Sequence, residues 1–519
     1  MNRTGQPLYS FEDSRELDRR TVQKGFSEMQ LMGQAAFASM CRLRESFLEE
    51  SVRDGGKIYI LCGSGNNGGD GLALAYHLMS WDKSIFNEKN IFLFRTSPSK
   101  SDTSRFYETL VTELNLEIHE IEKFNSILCC KNDTIVECLL GTGQKSGISG
   151  IMLETLRHIG KQRSKKKAPR LISLDVPAGV SESESIYSSS QKSLFSLPDE
   201  IHTYGADKIC LNVHPEICTS SAKYVLPAGF YPVDEKHTVF SLNDIEDFSP
   251  FIKKPLSNKY LAGYGISIGG SAGMEGAISL ACESFFAAGG GILNCITSER
   301  TKALLLKINR SVMFHTFDRL LELKIPGAVA VGPGLSKNDL NEFSEFLFSF
   351  LNRIADAERV PWIILDASAC SLVLSGSYPE SLLKKTIITP HTGEWIQMGG
   401  KKISCTDDVK TERERSKYIG CNVLIKDSFS VLYTIEDKEY NTGIRCMPEN
   451  SLAVAGSGDV LAGILLALLS RSENISKPLT ELTSAALSLH ARAAGLEMHP
   501  SSEKFPMLIR KFLKVSTQR

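Results

Sequence analysis

The sequence predicts an α/β protein of two domains, each built on a largely parallel sheet. Three observations carry this. At 519 residues the chain is too long for a single hydrophobic core. Short β-branched runs alternate with helical segments through both halves, the pattern of parallel strands joined by crossover helices. In the second half each run ends in Gly, Asp or His, and ligands bind beyond the carboxyl ends of strands in such sheets.

Composition narrows the function classes. Hydrophobic residues make up 42% and charged residues 23%, the balance of a globular domain. A net charge of −1 gives no reason to expect nucleic acid or an anionic membrane as partner. The opening stretch MNRTGQPLYSFEDSRELDRR has no apolar signal core, so a cytoplasmic protein is expected. The longest apolar run, VLAGILLALL (Val460–Leu469), is too short to span a bilayer. Thirteen cysteines contain no C-x-x-C pair and ten histidines do not cluster, which argues against zinc and for reduced, mostly buried thiols.

In the first half the strands are KIYILCG (Lys57–Gly63), NIFLFR (Asn90–Arg95), DTIVECLLG (Asp133–Gly141), RLISLDVP (Arg170–Pro177) and DEIHTYG (Asp199–Gly205). KQRSKKKAPR (161–170) reads as a solvated loop and SESESIYSSSQKS (181–193) as a surface excursion. The boundary falls within GFYPVDEKHTVFSLND (229–244). Beyond it come GYGISIGGS (Gly263–Ser271), GAVAVGPG (Gly327–Gly334), PWIILDA (Pro361–Ala367), KTIITPH (Lys385–His391) and CNVLIKD (Cys421–Asp427). The halves share no motif and are not repeats.

Two glycine turns carry the chemistry. GSGNNGGDG (Gly63–Gly71) sits between a strand and a helix with Leu72, Ala75, Tyr76 and Met79 at helical spacing. Glycines there let backbone N–H groups approach an anion, and the helix start adds its positive dipole end. In NSLAVAGSGDVLAGILLALL (450–469), Gly456, Ser457 and Gly458 form a second anion cradle ahead of a helix. Asp459 stands beside it, where a carboxylate can take the proton of a hydroxyl attacking phosphorus. GPGLS (332–336), TPHTGEW (389–395) and IGGSAGMEGA (268–277) are further turns at strand ends.

The ordered set G-S-x-x-M-x-G-A, G-P-G-L, D-A, T-P-H-x-G-E and G-S-G-D-V-L-A-G-I resembles the ADP- or ATP-dependent NAD(P)H-hydrate dehydratases, relatives of ribokinase-like kinases. N-N-G-G-D-G, L-L-G-T-G and D-V-P-x-G resemble the NAD(P)H-hydrate epimerases. The chain as a whole is similar to the family that joins both, epimerase first. The resemblance implies a Rossmann-like three-layer domain over residues 1–233 and a ribokinase-like domain over 234–519. It implies hydrated NADH and NADPH as substrates, ADP (or ATP) as co-substrate, potassium and magnesium as ions, and a homo-oligomer. Asn66, Asn67, Gly68, Gly69, Asp70, Gly141, Thr142, Gly143, Gln144, Lys145, Ser146, Gly147 and Asp175 would line the epimerase site, with Asp175 an acid–base candidate. Ala277, Gly334, His391 and Asp459 would contact the hydrate in the second site. Lys426, Asp427, Ser428, Phe429 and Ser430, with Gly456, Ser457 and Gly458, would hold the nucleotide.

The chain departs from that family at four places. The potassium positions are Asn67, Glu137 and Ala178, and the last two replace Asp and Ser. Asp427 replaces the glycine of a K-G-x-x-T segment, and Asn258–Tyr260 replaces H-K-G. The shared G-S-G-D logic also admits a small-alcohol kinase with a non-catalytic N-terminal binding domain.

Overall fold

The computed structural model describes residues 6–144, 147–165, 167–188, 192–231, 240–242, 244–251, 258–436, 439–445 and 449–516. The chain forms two compact units, Pro7–Thr238 with Ser404–Asp407, and Met1–Gln6 with Val239–Ile403 and Asp408–Arg519. The expected boundary at residues 233 and 234 lies outside the described residues.

In the first unit β1 (Gln6–Tyr9) pairs in parallel with β8 (Asp207–Lys208). The main sheet holds β2 (Ile58–Cys62), β3 (Ile91–Arg95), β4 (Ile118–Glu120), β5 (Thr134–Cys138), β6 (Arg170–Leu174), β7 (Glu200–Tyr204) and β9 (Ala222–Leu226). Its spatial order is β4-β3-β2-β5-β6-β7-β9, all parallel. Alternate residues of β2 serve opposite cores. Ile58 and Ile60 pack with Met32, Ala35 and Met40 of the Glu28–Ser46 helix and Leu72 and Leu78 of the Asn66–Trp81 helix. Tyr59 and Leu61 pack with Leu156 and Ile159 of the Gly150–Arg163 helix. A strand covered on both faces is apolar throughout, which is why IYILC shows no alternation.

In the second unit the strands are β10 (Phe240–Leu242), β11 (Tyr264–Ile268), β12 (Ile292–Ile296), β13 (Met313–His315), β14 (Ala328–Val331), β15 (Trp362–Leu365), β16 (Thr386–Ile388), β17 (Asn422–Ile425), β18 (Ser430–Glu436) and β19 (Glu439–Arg445). They are ordered β13-β12-β11-β14-β15-β16-β17-β18-β19-β10. From β13 to β17 the sheet is parallel; β17-β18-β19 is antiparallel. The Ser457–Leu469 helix is buried at every residue except Gly458 and Asp459. Val460, Leu461, Ile464, Leu465 and Leu468 join Ile278, Cys282 and Phe285 over the sheet. A helix apolar on all sides belongs in a core.

Three readings change. The hairpin β18–β19 was not expected, because its residues mix polar and apolar types and β18 begins inside the segment read as a nucleotide loop. The start of the serine-rich stretch is tied down: Ser181 is 3% exposed, and Tyr187, 6% exposed, donates its hydroxyl to the Ala178 carbonyl at 3.2 Å. Among the described residues eleven cysteines are free, most of them buried, but Cys218 is disulfide-bonded.

Candidate functional site

Each unit carries a cavity of about 490 Å³ at the carboxyl ends of its strands. In the first unit β2 hands over at Gly63, and the Asn66–Trp81 helix starts at Gly65 without a side-chain cap. Its first N–H groups are therefore available to a ligand. The tightness of the turn requires glycine: a methyl on Gly68 would lie 1.8 Å from the Gly63 carbonyl oxygen. Asn66, Asn67, Asp70, Gly141, Thr142, Gly143 and Asp175 line this cavity. Gly68 and Gly69 are buried beneath it. Gln144 does not face it; its amide bridges the Gly179 N–H and the Val180 carbonyl. Gly147 is not in the lining, and Lys145 and Ser146 lie outside the described residues.

Asp175 holds a backbone φ of +64°, a left-handed conformation costly for a residue with a Cβ. Its Oδ2 accepts from the Thr142 N–H at 3.2 Å, and its Oδ1 lies 2.8 Å from the Lys208 ammonium, itself 2% exposed. The sequence reading missed Lys208 and Asp18, both of which line the cavity. Burial and the Asp175 charge push the Asp18 carboxyl up to about 6. Burial, then Asp175 and Asp18, hold Asp70 well above the usual carboxylate range, with Lys208 opposing.

The potassium positions divide. Asn67 is 8% exposed; its Nδ2 donates to the Leu140 and Leu174 carbonyls and its Oδ1 has no hydrogen-bond partner. An orphaned amide oxygen fits a hard cation. Glu137 and Ala178 do not fit. Neither lines the cavity, and the Glu137 oxygens already accept from Leu139 N–H (3.0 Å), Ala178 N–H (3.2 Å) and the Ser173 hydroxyl (2.9 Å). Burial pushes that carboxyl up to about 7 against these bonds. The longer Glu side chain serves the β5–β6 end as an internal hydrogen-bond acceptor.

The second cavity is lined by His391, Lys426, Asp427, Ser428, Phe429, Ser430, Ser457 and Gly458. Gly456 takes φ +87° and leads into the helix, again without a side-chain cap. The Lys426 ammonium is 2.5 Å from Asp366 Oδ1, which also accepts from Thr389 at 2.6 Å. Burial works against the Lys426 charge, but Asp366 outweighs it and keeps the ammonium above its ordinary range. Asp459 lies next to this pair; burial and the Asp366 charge push its carboxyl up to about 6, against Lys426. A base of that kind is ionised at neutral pH and still able to take a proton. His391 caps the Thr392–Gln397 helix, its Nδ1 accepting from Gly393 N–H (2.9 Å) and Glu394 N–H (3.2 Å). Asp427, where glycine was expected, accepts from the Thr392 hydroxyl and the Ser428 N–H, joining two loops at the rim.

Asp459, Gly456, Ala277 and Gly334 do not line that cavity. Ala277 and Gly334 meet where the turns after β11 and β14 interlock: Ser271 N–H donates to the Gly334 carbonyl at 2.7 Å and Gly270 N–H to the Pro333 carbonyl at 3.0 Å. Asp366, Glu449, Asn450 and His490 were not foreseen. The last three also line the cavity, and His490 Nε2 is 3.2 Å from the Ser457 hydroxyl. His490 lies in a helix far along the chain, so no local signal marks it. Among the described residues no group of three or more His, Cys, Asp or Glu side chains is arranged to hold a metal ion, and no helix is long and apolar enough to cross a membrane.

Two parallel-sheet domains, each with an uncapped helix start and buried carboxyl groups at its strand ends, define a two-domain enzyme class acting on anionic small molecules. Residues 28–210 match the family described as YjeF-related protein N-terminus, and residues 266–509 match the NAD(P)H-hydrate dehydratase family. The chain belongs to the bifunctional NAD(P)H-hydrate repair family. It is 26% identical to the bifunctional NAD(P)H-hydrate repair enzyme Nnr of Coxiella burnetii, over 96% of each chain. It is also 26% identical to that of Thermofilum pendens, over 87% of this chain and 85% of the relative. The ADP-dependent (S)-NAD(P)H-hydrate dehydratase of Enterococcus faecalis is 25% identical over 45% of this chain and 78% of its own. A solved ribokinase-like superfamily protein from Enterococcus faecalis superposes with a TM-score of 0.45 at 22% identity, covering 52% of this chain and 93% of its own.

Proposed function

We propose that the chain repairs hydrated NAD(P)H in two steps. The first unit interconverts the R and S hydrates, and the second dehydrates the S epimer at the expense of ADP. The carrying observation is that one chain holds both cavities, each with its own glycine turn and carboxyl groups, in the order of the two family matches.

In the second site Asp459 takes the proton of the substrate hydroxyl as its oxygen attacks the terminal phosphoryl group of the nucleotide. The N–H groups of Gly456–Gly458 hold the charge that develops there. The phosphate ester then leaves as phosphate with loss of a ring proton, restoring the double bond and releasing NAD(P)H. Lys426 keeps a positive charge beside Asp459, and Lys426–Ser430 receives the nucleotide. Asn67 contributes an oxygen in the first site that suits potassium; Glu137 and Ala178 do not complete its shell. Magnesium would arrive with the nucleotide phosphates.

The test follows reduced-nicotinamide absorbance after adding each purified hydrate epimer with ADP. NADH should return from both epimers, and from S directly. Phosphorylation of a stable alcohol with no return of NADH would overturn the reading.

A further inference from the structure

The first cavity contains a charge arrangement that the nucleotide chemistry of the second unit does not use. Seven charged side chains face it: Arg15 and Asp18 from the Phe11–Gln23 helix, Glu28 from the next helix, Asp70, Lys100, Asp175 and Lys208; the Tyr204 phenol joins them. Only Lys208 among these cations is nearly sealed from solvent, and its ammonium pairs with Asp175, while its backbone N–H donates to Asp207. Its second contact, to the Thr203 hydroxyl at 2.6 Å, fixes the ammonium from the strand side. The Asp175 carboxylate is thus held by an ion pair and a backbone N–H, on a backbone kept in a costly conformation. Asp70 accepts no hydrogen bond from the described residues. Asn67, more than nine-tenths buried with its amide oxygen unpartnered, lines the same cavity and marks it as a place for a polar ligand.

We infer that Asp70 and Asp175 are the proton donor and acceptor of epimerisation, and that Lys208 is the positioning residue that holds Asp175 and supplies its counter-charge. This rests on the epimerase reading above. Hydrating the enamine of a reduced nicotinamide places the hydroxyl on the carbon bonded to the ring nitrogen. Asp70 gives its proton to that hydroxyl. The C–O bond breaks as the nitrogen lone pair moves into the C–N bond, and water departs from a planar cation. Water then adds to the opposite face, its oxygen forming the new C–O bond while Asp175 takes its proton. The two carboxyls end with exchanged proton states, which suits the return reaction. The surroundings agree: burial works against charge on Asp70, while Asp175 is paired with the Lys208 ammonium and the Thr142 N–H.

The experiment uses the full chain and follows conversion of purified R hydrate to S by separating the epimers, from pH 5 to 9. Limited proteolysis of the first unit reports whether each variant is folded there, and dehydration of S reports that the second unit is intact. Asp70→Asn should lower the epimerisation kcat by about 10²–10⁴-fold with little change in KM. Lys208→Met should lower kcat and move the acidic limb of the profile up by about one pH unit or more, because Asp175 loses its counter-charge. Lys208→Arg should leave the limb in place. If Asp70→Asn stays within threefold of the parent, or if Asp18→Asn carries the loss instead, the donor assignment is wrong. If Lys208→Met slows the reaction without moving the limb, its role is structural and the positioning claim fails. A parent chain that does not interconvert the epimers overturns the epimerase reading itself.

Discussion

Asp459 illustrates how one residue carries both chemistry and an energetic cost. Burial and the Asp366 charge push its folded carboxyl up to about 6, above the 3.8 of a free side chain. The folded state therefore binds the proton more tightly than the unfolded chain. That contribution to stability is present at low pH and is lost as pH rises from 3.8 to about 6. At neutral pH the ionised group is a burden on the fold, and it is also the form able to act as base. Asp459→Asn should thus unfold at the parent's temperature or higher at pH 7, the gap closing below pH 4. The same variant should lose about 10²–10⁴-fold in dehydration rate while epimerisation persists. Parallel melting curves and rate measurements check this; a variant keeping half the parent rate removes Asp459 from the mechanism. In the parent, dehydration should fall as pH drops through about 6, because the base becomes protonated.

At the scale of an element, the strand–turn–helix unit around Gly68 is the most constrained piece of the first domain. The Asn66–Trp81 helix starts so close to β2 that a Cβ at Gly68 would overlap the Gly63 carbonyl, which is backbone and cannot rotate away. Gly68→Ala should destabilise the first unit by several kcal/mol, in the class of overpacking and backbone-conformation defects. Epimerisation should disappear, while dehydration of the S hydrate continues. Limited proteolysis with both assays distinguishes this from a local effect: a Gly68→Ala chain with full epimerase activity would show that the turn has slack. The interlocked turns after β11 and β14 place Ala277 beside Gly334 through the Ser271–Gly334 and Gly270–Pro333 bonds, and they set one wall by backbone rather than by side chains.

At the scale of the whole molecule, the two activities have separate cores. The apolar clusters over β2–β7 draw only on the first unit, and the cluster around the Ser457–Leu469 helix only on the second. A fragment of residues 234–519 should therefore fold, dehydrate the S hydrate and leave the R hydrate to spontaneous conversion. Equal rates on both purified epimers from that fragment would contradict the division of labour.

The sequence by itself determined the α/β class, ten of the strands and both glycine turns, because these are local: apolar runs, turn residues and uncapped helix starts are written in consecutive positions. It also marked Asp459 beside such a turn, and the family resemblance marked Asp70 and Asp175. Tertiary structure decided what surrounds them. Lys208 reaches Asp175 from β8, His490 reaches Ser457 from 33 residues away, and Asp366 at the end of β15 reaches Lys426 at the end of β17 across β16. The same reason separates Asn67 from Glu137 and Ala178: motif position suggested one cation shell, but burial and competing donors turned Glu137 inward. Proton states and ligand shells depend on desolvation and on charges brought together by folding, and spacing along the chain specifies neither.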